Sequence, residues 1–404
     1  MRSVDHVLEV PLDHARPDGA TINVYAREVS EPGGEDRPFL VFLQGGPGSE
    51  SPRPDLSGTT AWMKRALQEF RLLLLDQRGT GLSTPVGRPE RIPGESTVEK
   101  AAYLTHFRAD SIVRDLELLR EHLRVERWSL LGQSFGGFTS LTYLSTSAGS
   151  LDRVHITGGL APVGVSPDDI YATTFAIVQA KSERFYAQFP TARDRMRRAL
   201  DLARAGDLRL PNGDLLTPRL LRSIGGYLGR DGGPQILAHL LEHDPAAPAF
   251  SHDVAAMLQF RGRNPIYSVL HESSCSDGYA TRWAADRVRP AAYDEDETLL
   301  FGEHIEPASF EGSSELRPYA ELAHVLAEHE WPRLYDEDAL RRADVPVAAS
   351  VYHDDAFVPR EMSLRTAALL PRIHPWITNE YEHSGLRTSG ERVLDRLLGL
   401  TREL

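Results

Sequence analysis

Two glycines bracket a serine in Gly132-Gln133-Ser134-Phe135-Gly136, with Gly137 following. The apolar run WSLLG (128–132) ends there and a helical stretch, SFGGFTSLTYLSTS, begins. A serine in a sharp strand-to-helix turn takes strained backbone angles and presents its hydroxyl at the strand's carboxyl end. Residues two positions away on either side must then be small, or strand and helix collide. Ser134 is therefore a candidate nucleophile for attack on a carbonyl. The same five residues also suit a glycine-rich turn that opens a helix and cradles a phosphate. Which reading holds depends on whether a base, an orienting acid and donors for an oxyanion lie elsewhere in the chain.

Candidates for each exist. Leu43-Gln44-Gly45-Gly46-Pro47-Gly48 follows the apolar run PFLVFL (38–43). Adjacent glycines let backbone N–H groups approach a reacting oxygen without interference from Cβ; a plain tight turn is the alternative. The run VPVAASVY (345–352) leads into His353-Asp354-Asp355-Ala356-Phe357-Val358-Pro359, where either aspartate could orient a histidine, or merely close a solvated turn. His383, in the loop NEYEHSG, follows the last apolar run, RIHPWIT (372–378), and is the histidine in that loop; His374 lies within the run and His353 beside the acids. Asp76-Gln77-Arg78-Gly79-Thr80-Gly81-Leu82-Ser83 has phosphate-loop glycines, yet neither GK[ST] nor G-x-G-x-x-G is present, so we expect Asp76 and Arg78 to tie this loop to the core as a structural pair.

These residues need a scaffold, and the apolar runs supply one. HVLEVPL and TINVYAREV alternate like antiparallel strands around ARPDG. PFLVFL, RLLLLD (71–76), WSLLG and VHITGG (154–159) do not alternate, and the helical SIVRDLELLREHL (111–123) lies between them; such runs make a mostly parallel sheet covered by helices on both faces. From about residue 165 the pattern turns to amphipathic helices, as in ARDRMRRALDLARAG and GGPQILAHLLEH. The expected organisation is an α/β core domain, 1–164 plus 330–404, interrupted by a mainly helical cap domain, 165–329. Serine, then acid, then histidine in chain order is the α/β-hydrolase arrangement.

Net charge is −13, from 45 Lys and Arg against 58 Asp and Glu, which disfavours nucleic acid as a partner. One cysteine, Cys275, permits no internal disulfide and no thiolate metal site. No apolar leader is visible and no apolar run approaches the roughly 18 residues that span a bilayer, so we expect a cytoplasmic protein with no membrane partner.

QGGPG, DQRGTGLSTP, GQSFGGF, the D-x-x-V-P stretch Asp355–Pro359 and the terminal histidine loop together resemble the proline iminopeptidases, serine exopeptidases of the α/β-hydrolase fold, in their longer branch. The resemblance runs from VPLDH to the C-terminal helix. It implies Asp355 rather than Asp354 as the acid, and an oxyanion hole from the N–H groups of Gly46 and Phe135, with Gly45 as the alternative. It implies small peptides with a free N-terminal proline as substrates, and neither metal nor organic cofactor. Glu272 and Glu303 match the family's cap carboxylates that receive the cationic imino group; without the resemblance each reads as an ordinary solvated residue. Tyr267, Tyr279 and Trp283 are candidates to pack on a prolyl ring, or else cap core. Cys275 lies near Glu272 and is either thiol-reagent-sensitive or inert. Gln44 replaces the family's usual histidine in HGGPG. A serine esterase, amidase or lactonase with a remodelled cap is the alternative enzyme, and a catalytically dead hydrolase kept for binding is the alternative outside enzymes. The oligomeric state is not legible.

Overall fold

Apolar runs that lack alternation become the interior strands of one sheet, as burial on both faces requires. The computed structural model describes residues 1–54 and 60–404. Among the described residues the strands are β1 (Arg2–Pro11), β2 (Thr21–Ser30), β3 (Phe39–Leu43), β4 (Arg71–Asp76), β5 (Trp128–Gln133), β6 (Leu151–Thr157), β7 (Val347–Tyr352) and β8 (Ile373–Thr378). They form an eight-stranded sheet in the order β1-β2-β4-β3-β5-β6-β7-β8. The β1–β2 and β2–β4 pairings are antiparallel and the remainder are parallel. Every residue of β3, β5 and β7 is buried, whereas β8 is half-exposed and carries Pro375. An edge strand tolerates proline because one of its sides makes no ladder.

Helices cover both faces. The helix Ala109–His122 buries Ile112, Val113, Leu116 and Leu119, the spacing of a single helical stripe. The helix Arg392–Arg402 buries Val393, Leu394, Leu397 and Leu398 against the other face, where they join Phe42, Leu72 and Ala348. Between β6 and β7 the chain is helical, beginning with Pro167–Gln188 and Pro190–Ala205. This insertion has an apolar cluster of its own, including Met196, Leu221, Leu237 and Phe250. A second cluster joins it to the sheet's loops, with Phe107 and Leu104 meeting Ile266, Phe310 and Trp331.

Parallel strands place their carboxyl ends along one sheet edge. Register puts Leu43 beside Gly132, and Gln133 beside Thr157. The segments after β3, β5, β7 and β8 therefore converge at one end of the sheet, and they carry Gly46, Ser134, Asp355 and His383. The glycine-bearing loop after β4 is structural, but not through an Asp76–Arg78 pair. Asp76 accepts from the N–H groups of Ser51 (3.1 Å) and Leu82 (2.9 Å) and pairs with Arg53. Arg78 donates to Asp115 (2.7 Å) and to the carbonyls of Leu12 and His106, both at 2.8 Å. Both residues tie the loop to the core, as expected, but each through partners of its own.

Candidate active site

Ser134 sits at φ 54°, ψ −121°, immediately before the helix Phe135–Ser147. A non-glycine residue at positive φ costs on the order of 1–3 kcal/mol, held in place by its surroundings. Here the grip is tight: the Ser134 N–H donates to the Thr157 carbonyl at 3.0 Å, and its own carbonyl accepts from Gly137 N–H at 2.7 Å. A Cβ on Gly132 would lie 2.4 Å from the Gly136 carbonyl oxygen, and one on Gly136 would lie 1.9 Å from that of Leu43. Strand and helix close on each other only because both residues lack side chains.

The loop after β3 runs beside this turn. A Cβ on Gly45 would come 2.9 Å from Ser134 Cβ, and Gly46 has φ +135°, a conformation that favours glycine. The Gln44 carbonyl accepts from Gln77 Nε2 at 2.9 Å, which braces this loop on the one after β4. Phe135 is the first residue of its helix, so its N–H has no intrahelical acceptor.

Asp355 is buried beyond β7. Its Oδ1 accepts from the N–H groups of Phe357 (2.9 Å) and Val358 (3.1 Å), and its Oδ2 from His383 Nδ1 at 2.8 Å. Asp354 instead faces outward, ion-paired with Arg184 at 3.0 Å and bonded to His353 at 2.9 Å. The helical insertion grips the histidine loop. His383 N–H donates to the Gly229 carbonyl at 3.2 Å, and Lys181 pairs with Glu382 at 2.7 Å. Burial pushes the His383 pKa down, but the charge and hydrogen bond of Asp355 outweigh it, so the net shift is upward from the ordinary 6.5.

Two cavities share Ser134. An outer one of about 300 Å³ is lined by Gln44, Gly45, Gly46, Ser134, Tyr267, Glu303 and His383, among others. A smaller inner one of about 40 Å³ is walled by Phe135, Phe138, Ile170, Tyr171 and Val358, with Gly46, Ser134 and Glu303 again at its margin. The site thus joins a hydroxyl in a strained elbow, an imidazole held by a buried carboxylate, a small hole in which Thr174, His271, Ser274 and His304 accompany the apolar walls, and one carboxylate at its rim.

Residues 38–246 match the family described as alpha/beta hydrolase fold. A proline iminopeptidase of Aeromonas sobria is 47% identical over 412 residues, covering 98% of this chain and 96% of that protein. The chain belongs to the proline iminopeptidase family. A second proline iminopeptidase, from Aspergillus aculeatus, is 31% identical over 99% of this chain and 93% of its own length. Among solved structures, a 2-hydroxy-6-oxo-6-phenylhexa-2,4-dienoate hydrolase from Rhodococcus sp. strain RHA1 is 15% identical, with a TM-score of 0.48, covering 99% of this chain and 100% of that one.

Of the residues expected to bind substrate in this proline iminopeptidase family member, the structure brings Glu303 and Tyr267 to Ser134. Both line the outer cavity, and the Tyr267 hydroxyl donates to the Glu303 carboxylate. His271 Nε2 donates to the Glu303 main-chain carbonyl at 3.1 Å. Glu272 does not reach either cavity. Its Oε1 accepts from Ala285 N–H at 2.9 Å, and burial pushes its pKa up to about 7. Tyr279 is 42% exposed at the surface, and Trp283 packs edge-on against Phe310 while its Nε1 donates to His324 Nδ1 at 3.0 Å. The structure thus places Glu272, Tyr279 and Trp283 outside the two cavities that Ser134 lines, whereas Glu303 and Tyr267 line the outer one. Cys275 lines the inner cavity, and burial pushes its thiol up to about 11, which keeps it protonated.

Sequence reasoning missed Ile170 and Tyr171, which line the inner cavity from the helix Pro167–Gln188, and Arg230 and Arg387, which line the outer one. Arg387 lies four residues after His383, a nearness to the candidate base that was legible but carried no motif.

Proposed function

We propose that this protein releases an N-terminal proline, or another small N-terminal residue, from peptides through an acyl-enzyme on Ser134, with His383 as base and Asp355 as its orienting acid. The observation that carries this reading is the 2.8 Å contact between His383 Nδ1 and Asp355 Oδ2, with His383 and Ser134 facing one cavity. Asp355 accepts a hydrogen bond from Nδ1–H, which keeps the proton on Nδ1 and leaves the lone pair on Nε2. Nε2 takes the Ser134 proton, Oγ attacks the prolyl carbonyl, and the oxyanion is received by the N–H groups of Gly46 and Phe135. The imidazolium then protonates the departing amine. Water, deprotonated by the same nitrogen, hydrolyses the ester and restores Ser134.

Phe135, Phe138, Ile170 and Val358 offer a pyrrolidine ring an apolar surface in the inner cavity, and its cationic imino nitrogen suits Glu303 at the margin. The segment 165–329 acts as a cap over the core 1–164 and 330–404. Its grip on the His383 loop through Gly229 and Lys181 supports that role. A cytoplasmic setting is supported by the single cysteine.

Hydrolysis of proline 4-nitroanilide, compared with p-nitrophenyl acetate, tests the reading. Rapid turnover of the acetate with none of the anilide would replace it with an esterase. Glu303→Gln is expected to lower kcat/KM for proline 4-nitroanilide by about 10- to 100-fold, the range of a hydrogen bond to a charged group, and to affect the acetate much less. Equal losses on both substrates would remove Glu303 as the amine anchor.

The base must be neutral to accept a proton, so kcat/KM falls as pH drops through the His383 pKa. Because that pKa is raised, the acid limb is expected to have its midpoint above 6.5, measured with proline 4-nitroanilide. A midpoint below 6.5 would mean that the Asp355 charge does not dominate at the imidazole.

A further inference from the structure

The chain carries an excess of 13 negative charges, yet its outer cavity has the opposite balance. Arg230, Arg261 and Arg387 all line it, against the single acid Glu303. Among the described residues, none of the three arginines pairs with a carboxylate. Arg230 lies over the Tyr227 ring at 4.6 Å, and Arg261 donates to the Ala255 carbonyl at 3.4 Å. Arg387 Nη2 donates to the side-chain oxygens of Gln44 at 3.2 Å and Gln133 at 3.4 Å. Elsewhere in this molecule arginines commonly meet Asp or Glu, as Arg78 and Arg65 do. Arg261 and Arg387 are exposed and Arg230 is half-buried, so their charges stay solvated, and together they give the cavity wall a positive field that favours an anion.

The acceptors on Arg387 are informative. Both are neutral amide oxygens, so they aim the guanidinium without cancelling its charge. One belongs to Gln133, directly before Ser134, and the other to Gln44, directly before the oxyanion glycines. The cation is thereby indexed to the reacting centre. Desolvation in the cavity wall, and then the like charge of Arg230, pull the Arg387 pKa down from the usual arginine value.

The two cavities divide the polarity. Glu303 and Ser134 border both, whereas the arginines line only the outer one. With the proline ring in the inner cavity and its imino nitrogen at Glu303, the leaving segment must extend into the outer cavity, toward the arginines. A cavity of about 300 Å³ holds a leaving segment of one or two residues.

Resting on the aminopeptidase reading above, we propose that the preferred substrates are dipeptides and tripeptides with a free C-terminal carboxylate, which Arg387 and Arg230 receive on the leaving-group side of Ser134. The site reads a short zwitterion by its two poles: the amino end by Glu303, the carboxylate by the arginines. Arginine forks match carboxylate geometry, so the contact adds orientation as well as attraction.

The experiment compares prolyl-alanine as the free acid with prolyl-alanine amide, alongside proline 4-nitroanilide. Alanine amide is the less basic leaving amine, so intrinsic reactivity does not favour the free acid. The protein is expected to prefer the acid by tenfold or more in kcat/KM, mostly through KM. In Arg387→Gln and Arg230→Gln the acid-to-amide ratio should fall toward one, and Arg387→Lys should restore part of it. A ratio within one variant cancels any general loss of folded enzyme. A wild-type ratio near one, or a ratio unmoved in both glutamine variants, overturns the proposal while prolyl turnover upholds the aminopeptidase reading. If none of the three prolyl substrates is cleaved, that reading fails and this one with it.

Discussion

Ser134→Ala is expected to lower kcat for proline 4-nitroanilide by roughly 10⁶-fold, the loss typical when the nucleophile of such a catalytic unit is removed. The same change should abolish labelling by a fluorophosphonate. Folding should be unaffected. The elbow is held by main-chain bonds from Ser134 N–H to Thr157 and from Gly137 N–H to Ser134, which alanine keeps, and the positive φ is equally strained for alanine and serine. Thermal unfolding superimposable on the wild type, with activity gone, is the outcome that isolates the hydroxyl. Residual turnover within tenfold of the wild type would take the nucleophile away from Ser134.

The second large effect is expected at Asp355. Asp355→Asn should lower kcat by about 10⁴-fold, the cost of fixing the base in the wrong tautomer. The local bonds explain why asparagine cannot substitute. Two main-chain N–H groups, of Phe357 and Val358, converge on Oδ1, so the amide oxygen must occupy that position. Its NH₂ then faces His383 Nδ1, which becomes an acceptor, and the imidazole proton moves to Nε2. A nitrogen that carries a proton cannot take one from Ser134. Asp354→Asn is the control: Asp354 pairs with Arg184 and His353 outside the site, so its loss should change kcat less than about threefold. Similar losses in the two variants would mean that the acid has been assigned to the wrong neighbour.

Most of the scaffold was legible because its signals are local. Buried strands need unbroken apolar runs, and the eight runs expected as strands are the eight of the sheet. The elbow was legible for a steric reason: a strand that turns straight into a helix admits no side chain at Gly132 or Gly136. Chain order then singled out His383, since the last strand ends just before it. The pair Asp354 and Asp355 was not separable by local chemistry. Both stand at the end of the same strand, and only the direction of the turn beyond β7 sends one inward to His383 and the other out to Arg184.

The substrate end was the least legible. Glu272 and Glu303 lie in a helical insertion, where an amphipathic stripe tells which face is buried but not which neighbour it is buried against. Folding turns Glu272 toward the N–H of Ala285 and leaves Glu303 at the cavity beside Tyr267. Arg230 from the insertion and Arg387 from beyond the last strand share a cavity although 157 positions separate them, counted as 387 − 230. The amino-acid order alone thus determined the sheet, the strained turn and the candidates for nucleophile and base, because hydrophobic periodicity and steric exclusion act between near neighbours. The tertiary structure alone decided which carboxylates and arginines face the reacting centre, because charge acts through space and is assigned only once distant segments meet.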